Sequence, residues 1–246
     1  MDLFDNSDNQ LPFDLPNHES VNYHWSDTLN YFEITVPKGK LIYASNFFNQ
    51  KISDRSVEYF LENSSGYSQN SHWKNLSEEE FSQIKFDNIN WKQEYINLYG
   101  RKPLPRITAW YGDEGKSYIY SGIIQHPHAW NKGLFYIKQQ VEQIAKINFN
   151  SVLLNWYRNG EDYLNWHTDD EKELGQNPII ASVNFGETRD FQLRYNQDHD
   201  LKINIPLTHG SLLIMSGELQ HYWQHCVPKR KRVNGSRFNL TFRRIL

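Results

Sequence analysis

From residue 152 onward the chain reads as a series of short β-type runs, at 152–157, 179–185, 190–195, 201–205, 211–215, 222–227 and 237–245, with turn residues between them. Runs this short, and this many, predict a β-sandwich or jelly roll. One of the interruptions carries chemistry. The run Leu153-Leu154-Asn155-Trp156-Tyr157 breaks at Asn159-Gly160, and the chain returns as His167-Thr168-Asp169. On an extended chain, side chains two apart point to the same side. His167 and Asp169 can therefore aim an imidazole nitrogen and a carboxylate oxygen at one point. A second histidine would complete a two-His, one-carboxylate face, which suits non-haem Fe(II) and leaves coordination positions open. His209, His221 and His225 all lie downstream, and residue chemistry does not choose among them.

The last run adds a second constraint. Arg237 and Arg243 are six apart, so on one strand they share a side with Asn239 and Thr241. A strand facing a core does not bury two guanidinium groups unpaired. A dicarboxylate ligand would satisfy them through bidentate contacts. The plainer reading is an Arg-rich terminal strand pairing with surface acids.

The first half predicts helices and loops. Leu41-Ile42-Tyr43-Ala44 reads as a short strand leading to a helix over 53–61, with Val57, Phe60 and Leu61 on its apolar side. Residues 62–76 read as a loop, and Ser77-x-x-Glu80 is a capping box that starts a short helix. Residues 97–106 form a basic, aromatic turn, and 107–122 alternate like a hairpin. Between 131 and 150, Leu134, Ile137, Val141, Ile144 and Ala145 recur at helical spacing, which predicts a helix that backs the sheet. The class is α+β, mainly β.

Charge splits along the chain. The total is −3, but residues 1–35 hold seven Asp and Glu and no Lys or Arg, so the rest is net +4. An acidic arm over 1–35, poorly ordered or packed on the body, and a body over 36–246 are the expected units. A basic body is compatible with phosphate contact. Lys229-Arg230-Lys231-Arg232 fits a nuclear-targeting patch, a phosphate-contacting loop or a solvated turn. No apolar run approaches the roughly 20 residues of a membrane span. The acidic start gives no signal-peptide pattern, and the lone Cys226 fits a reducing compartment. An intracellular protein is expected, cytoplasmic if prokaryotic and nuclear if eukaryotic.

Five segments in order, 105–122, 155–171, 182–194, 209–216 and 225–243, resemble the AlkB family of Fe(II)/2-oxoglutarate dioxygenases, above all its DNA-repair branch. From first to last they span about 140 residues. The resemblance implies a double-stranded β-helix (jelly roll) core with N-terminal helices and a nucleotide-recognition lid over 97–130. It implies Fe(II) on His167, Asp169 and His225, because His225-Cys226-Val227-Pro228 follows the family's distal-ligand pattern. His221 is then the fallback ligand, His209 structural and Cys226 a packing residue. By the same resemblance, Arg237 grips the distal carboxylate of 2-oxoglutarate with Tyr157 and Asn239. Arg243 and Asn155 sit at the metal-proximal end, and Thr241 lines the pocket.

The resemblance also implies substrate contacts. Tyr99 wedges into the base stack, with Leu98 beside it and Arg101 and Lys102 near phosphates. Tyr120 stacks on the substrate base and Tyr118 lies near its edge, although two half-buried strand tyrosines would look the same. Arg106, Ser121 and Glu171 complete the set, Glu171 at the base edge. Asp170 is expected to pair with Arg106 or Arg243. The implied reaction is oxidative dealkylation of 1-methyladenine- and 3-methylcytosine-type bases in DNA, duplex or single strand. It uses Fe(II), O2 and 2-oxoglutarate and releases formaldehyde, succinate and CO2. A monomer acting away from membranes is expected. The competing readings are a same-fold dioxygenase acting on RNA, protein or a small molecule, a non-catalytic nucleic-acid-binding module, and a different metal in the triad.

Overall fold

A computed structural model describes residues 10–67, 73–97, 101–116, 118–120 and 123–246. In chain order, β1 (Asn22–Ser26), β2 (Tyr31–Val36) and β3 (Gly39–Ala44) precede α1 (Gln50–Leu61) and the short α2 (Glu78–Ser82). Next come β4 (Tyr95–Asn97), β5 (Arg101–Pro103), β6 (Ile107–Gly112), β7 (Tyr118–Tyr120), β8 (Ile123–Gln125) and α3 (Lys132–Ala145). The C-terminal half runs β9 (Ser151–Tyr157), β10 (Leu164–His167), β11 (Ile180–Gly186), β12 (Arg189–Tyr195) and β13 (Lys202–Leu207). It ends with β14 (Leu212–Gly217), α4 (Leu219–Tyr222), β15 (Trp223–Val227) and β16 (Arg237–Arg243). An eight-stranded sheet has the order β1-β2-β3-β14-β11-β16-β9-β6, and a four-stranded sheet the order β10-β15-β12-β13. The strands of each sheet pair antiparallel.

Alternation along three central strands sorts the side chains into two layers. Val152, Leu154 and Trp156, with Ala181, Val183 and Phe185 and with Phe238, Leu240 and Phe242, face a helix layer that contributes Phe60, Leu134, Ile137 and Val141. Tyr43, Tyr157, Ile180, Leu213 and Met215 instead meet Phe191, Leu193, Ile203, Ile205, Leu207, Trp223 and Val227 of the small sheet. Each fully buried Leu, Val or Phe contributes roughly 1.5–3 kcal/mol of transfer free energy. Because β9, β11 and β16 are covered on both faces, their polar members Asn155, Ser182, Asn184, Arg237, Asn239 and Thr241 are all buried. Buried polar groups are costly unless they find partners, so this inner wall marks where a ligand is expected.

Helix starts follow their caps. Asn49 Oδ1 accepts from Ile52 N at 3.0 Å, so α1 begins at Gln50 rather than at the expected residue 53. Ser77 and Glu80 form the predicted capping box on α2. Asn131 caps α3, and Lys146 ends it in the left-handed conformation at φ 56°.

Two expectations are corrected. Residues 22–35 are not a separate arm: β1 and β2 join the large sheet, and Phe32, Ile34 and Val36 are buried in its core, with Leu11 beside them. The apolar alternation of β2 outweighs the acidic composition that set the boundary. Residues 107–122 are not one hairpin either. β6 pairs with β9 at the edge of the large sheet, while β7 pairs with β8. Alternation identifies a strand but not its partner. Tyr99, Ser121, Leu98 and Gly122 lie outside the described residues. Among the described residues no helix is long and apolar enough to cross a membrane.

Candidate active site

His167 closes β10 and sits directly opposite His225 of β15 in register, with their rings 4.2 Å apart. Asp169 follows two residues on, its backbone N–H donating to Gln220 Oε1 at 3.0 Å. One ligand atom from each of His167, Asp169 and His225 lies within 4.8 Å of the others. His167 Nε2 is 4.0 Å from Asp169 Oδ1, and His225 Nε2 is 3.8 Å from Asp169 Oδ2. Asn165 O lies 2.8 Å from His167 Nδ1, which places the proton on Nδ1 and leaves Nε2 facing the carboxylate. Phe191 stacks on the His225 ring at 5.0 Å.

Electrostatics prepare the three donors. Burial, then the neighbouring His167, pushes His225 down to about 3, so its imidazole is neutral at physiological pH. Burial alone would raise Asp169, but Arg243 first, then His225 and His167, bring it below the ordinary carboxylate value. A carboxylate and two imidazoles converging on one point fit Fe(II) with positions left over.

The inner wall carries the second half of the site. Register aligns Tyr157, Arg237 and Gly186 in one row, and Asn155, Asn239 and Asn184 in the next. Arg237 is 2% exposed and its guanidinium stands 5.0 Å from the Tyr157 ring centre. It donates from Nη2 to Asn184 Oδ1 and interacts with the Tyr157 side chain, while Nε and Nη1 make no hydrogen bond among the described residues. Burial lowers it to about 10, which still leaves it cationic at neutral pH. Asn239 donates to Ser182 Oγ at 2.7 Å, and Thr241 donates to Asn239 Oδ1 at 3.0 Å. Arg243 Nη2 reaches Asp169 Oδ1 at 2.8 Å, so the wall and the triad share one interior. A buried cation with two unused N–H directions fits the far carboxylate of 2-oxoglutarate.

The other expected residues fall out as follows. Arg106 donates from Nε to Asn155 Oδ1 at 2.8 Å and so braces the wall. Asp170 accepts from Thr168 at 2.8 Å, and of the two arginines expected on it Arg106 bonds Asn155 and Arg243 reaches Asp169. Glu171 precedes a 3-10 turn over Lys172–Leu174 and is half-buried. Tyr118 and Tyr120 are the ends of β7. His209 Nδ1 accepts from Gly186 N at 2.8 Å and serves the turn. His221 Nε2 faces Gln176 O and Asn177, away from the triad. Cys226 is buried beside Gln192, and burial pushes its thiol up to about 11. Gln220, Phe191, Asn184 and Arg189 also pack in or around the site and carry no motif that marks them locally. The one available signal is Asn184 with Ser182, two polar residues two apart in an apolar run.

The 2OG-Fe(II) oxygenase superfamily pattern matches residues 44–243. The chain is 46% identical over 150 residues to the alpha-ketoglutarate-dependent dioxygenase alkB homolog 3 of Bos taurus, covering 57% of this chain and 52% of that protein. Identity to the Homo sapiens homolog 3 is 45% over 150 residues, with the same coverage of 57% and 52%. Identity to the Homo sapiens DNA oxidative demethylase ALKBH2 is 39% over 159 residues, 61% of each chain. The chain spans about half the length of the first of these curated relatives that it matches. Among solved structures, that of OsALKBH1 aligns with a TM-score of 0.51 at 15% identity, over 83% of this chain and 96% of that one, a likeness of fold. The matched span includes the whole triad and the whole inner wall, and the chain belongs to the 2OG-Fe(II) oxygenase superfamily.

Proposed function

We propose that the chain is an Fe(II)- and 2-oxoglutarate-dependent dioxygenase that oxidatively dealkylates N-alkylated bases of the 1-methyladenine and 3-methylcytosine type in DNA. Its products are formaldehyde, succinate and CO2. The observation that carries this reading is the shared interior of the His167, Asp169 and His225 cluster and the buried, half-satisfied Arg237. Bound iron with 2-oxoglutarate and O2 supplies the oxidising chemistry. The chain's own residues bind and orient. His167, Asp169 and His225 hold the metal. Arg237, with Tyr157 and Asn239, takes the distal carboxylate, while Asn155, Thr241 and Arg243 line the metal-proximal end.

The two small hairpins of 97–130 serve as the nucleotide-recognition lid. Tyr99, Tyr118, Tyr120, Ser121, Arg106 and Glu171 contact the flipped base and its strand, the ring of Tyr120 by stacking. The similarity to a relative named as a DNA oxidative demethylase supports this substrate class. The chain works as an intracellular monomer.

The test is anaerobic reconstitution with Fe(II) and 2-oxoglutarate, followed by admission of air and mass spectrometry of an oligonucleotide carrying one 1-methyladenine. Loss of one CH2 per strand, absent in His167→Ala, is expected. Succinate without any mass change would discard the DNA substrate. No succinate would discard the metal and cosubstrate assignment.

A further inference from the structure

Two buried guanidinium groups stand over the Tyr157 ring. Arg237 of β16 lies 5.0 Å from the ring centre, and Arg189, the first residue of β12, lies 5.7 Å from it. Arg189 is 1% exposed. Its Nη1 donates to Asn159 O at 3.1 Å, and its Nη2 to Asp162 O at 2.9 Å and Pro228 O at 2.6 Å. All three acceptors are backbone carbonyls, which satisfy hydrogen bonds but neutralise no charge. The carboxylates that act on it electrostatically are already engaged. Asp162 takes both Nε and Nη2 of Arg158 at 2.8 Å, and Asp190 pairs with Arg230. The interior behind Tyr157 therefore holds two cations, and a buried charge without a counter-ion is costly. A ligand carrying two negative charges, one of them against Arg237, would offset that cost.

We propose that Arg189 is a positioning residue for the cosubstrate. Acting through Tyr157, it adds a second buried positive charge behind Arg237 and so tunes the pocket for a dicarboxylate over a monocarboxylate 2-oxo acid. This inference rests on the proposed function. A merely structural Arg189, by contrast, would tie the β9–β10 turn to the end of β15 through its three carbonyls and would leave ligand affinity alone. The two roles separate by variant, because Lys keeps the charge but cannot serve three carbonyls, whereas Gln keeps neither.

The experiment is calorimetric titration of 2-oxoglutarate, and of 2-oxopentanoate as the monoacid of equal chain length, into the Mn(II)-loaded full chain. Wild type, Arg189→Lys and Arg189→Gln are compared, with the melting temperature recorded for each. Arg189→Gln is expected to raise the 2-oxoglutarate Kd about tenfold and to leave the 2-oxopentanoate Kd nearly unchanged. Arg189→Lys is expected to stay within about threefold of wild type for both, although its melting temperature falls. Equal 2-oxoglutarate affinity in Gln and wild type overturns the proposal, and so does an equal loss in Lys and Gln. Should the Gln variant fail to fold, Arg189→Met, which also removes the charge, decides: a weakened preference for the dicarboxylate supports the charge role, and an unchanged preference overturns it. If wild type does not bind 2-oxoglutarate at all, the proposed function itself falls and takes this inference with it.

Discussion

Arg243 Nη2 donates to Asp169 Oδ1 at 2.8 Å, so the strand that builds the inner wall also grips the carboxylate of the triad. Asp169 is 4% exposed, and Arg243 is the strongest of the charges that keep it ionised. Its orientation is thus set from β16, on the opposite sheet from both histidines.

Removing that grip is expected to loosen the metal site and weaken the fold together. Arg243→Met leaves a buried carboxylate without its cation, which costs about 3 kcal/mol in urea unfolding of the metal-free protein. Loss of the orienting partner is expected to raise the Mn(II) Kd about 10–100-fold. An unchanged Kd would show that Asp169 is held by the Gln220 contact alone.

The metal-free protein is expected to lose stability as pH falls below neutrality. His225 ordinarily titrates at 6.5 but is pushed down to about 3 in the fold. Across that window the unfolded chain binds a proton that the folded chain refuses, so stability falls as pH drops from 6.5 toward 3. Asp169 is lowered from 3.8, and its contribution is lost in the same direction at still lower pH. The slope from His225 alone reaches about 1 kcal/mol per pH unit. Urea midpoints of wild type and His225→Gln across this range test it: the variant should be flatter below pH 6.5, and equal slopes would remove His225 as the cause.

What was legible in the sequence was whatever acts at fixed local spacing. The i, i+2 placement of His167 and Asp169 and the even spacing of Arg237, Asn239, Thr241 and Arg243 survive into the structure because strands impose period two. The third ligand did not emerge from spacing, since His209 and His221 lie at comparable separations; the family resemblance points to His225, and the cross-strand register with His167 supplies the physical reason. Partners distant in sequence were equally hidden. Arg106 bonds Asn155 and Arg189 bonds three carbonyls, contacts fixed by tertiary packing that no local pattern encodes. The acidic composition of 1–35 misled about the boundary because charge reports on solvent exposure, whereas the apolar members of β2 decide its pairing.

Arg237 should trade stability for binding. Its Nε and Nη1 are buried without a hydrogen-bond partner among the described residues, so the ligand-free protein bears the cost of an under-satisfied cation. Ligand-free Arg237→Met is therefore expected to be as stable as wild type or more so. With Mn(II) bound and 2-oxoglutarate at a hundred times its Kd, wild type gains about 2.7 kcal/mol. For a chain of this length that gain is about 5–11 °C in melting temperature. The variant should show almost no 2-oxoglutarate-dependent rise. A ligand-free variant that melts well below wild type would mean that Arg237 supports the fold and is not reserved for a ligand.

Gly160 is where the β9–β10 turn meets the loop after β15. Gly160 N donates to Val233 O, and Arg230 N to Gly160 O, each at 2.8 Å. A Cβ at this position would lie 1.7 Å from Arg230 O, a backbone atom that cannot swing aside as a side chain would. Gly160→Ala must therefore push the 228–233 loop off the turn and break both hydrogen bonds. The expected loss is on the order of 2–4 kcal/mol. That loop also carries Pro228, whose carbonyl Arg189 holds, and it leaves directly from the strand bearing His225. Weaker Mn(II) binding should accompany the loss. Ser77→Ala is the control: it removes an exposed cap on α2, with an expected cost of about 1 kcal/mol and no effect on metal affinity. If Gly160→Ala unfolds at the wild-type urea concentration, the two loops do not meet as closely as Arg230 and Gly160 do here. Metal affinity that falls equally in both variants would point to global destabilisation instead of the turn.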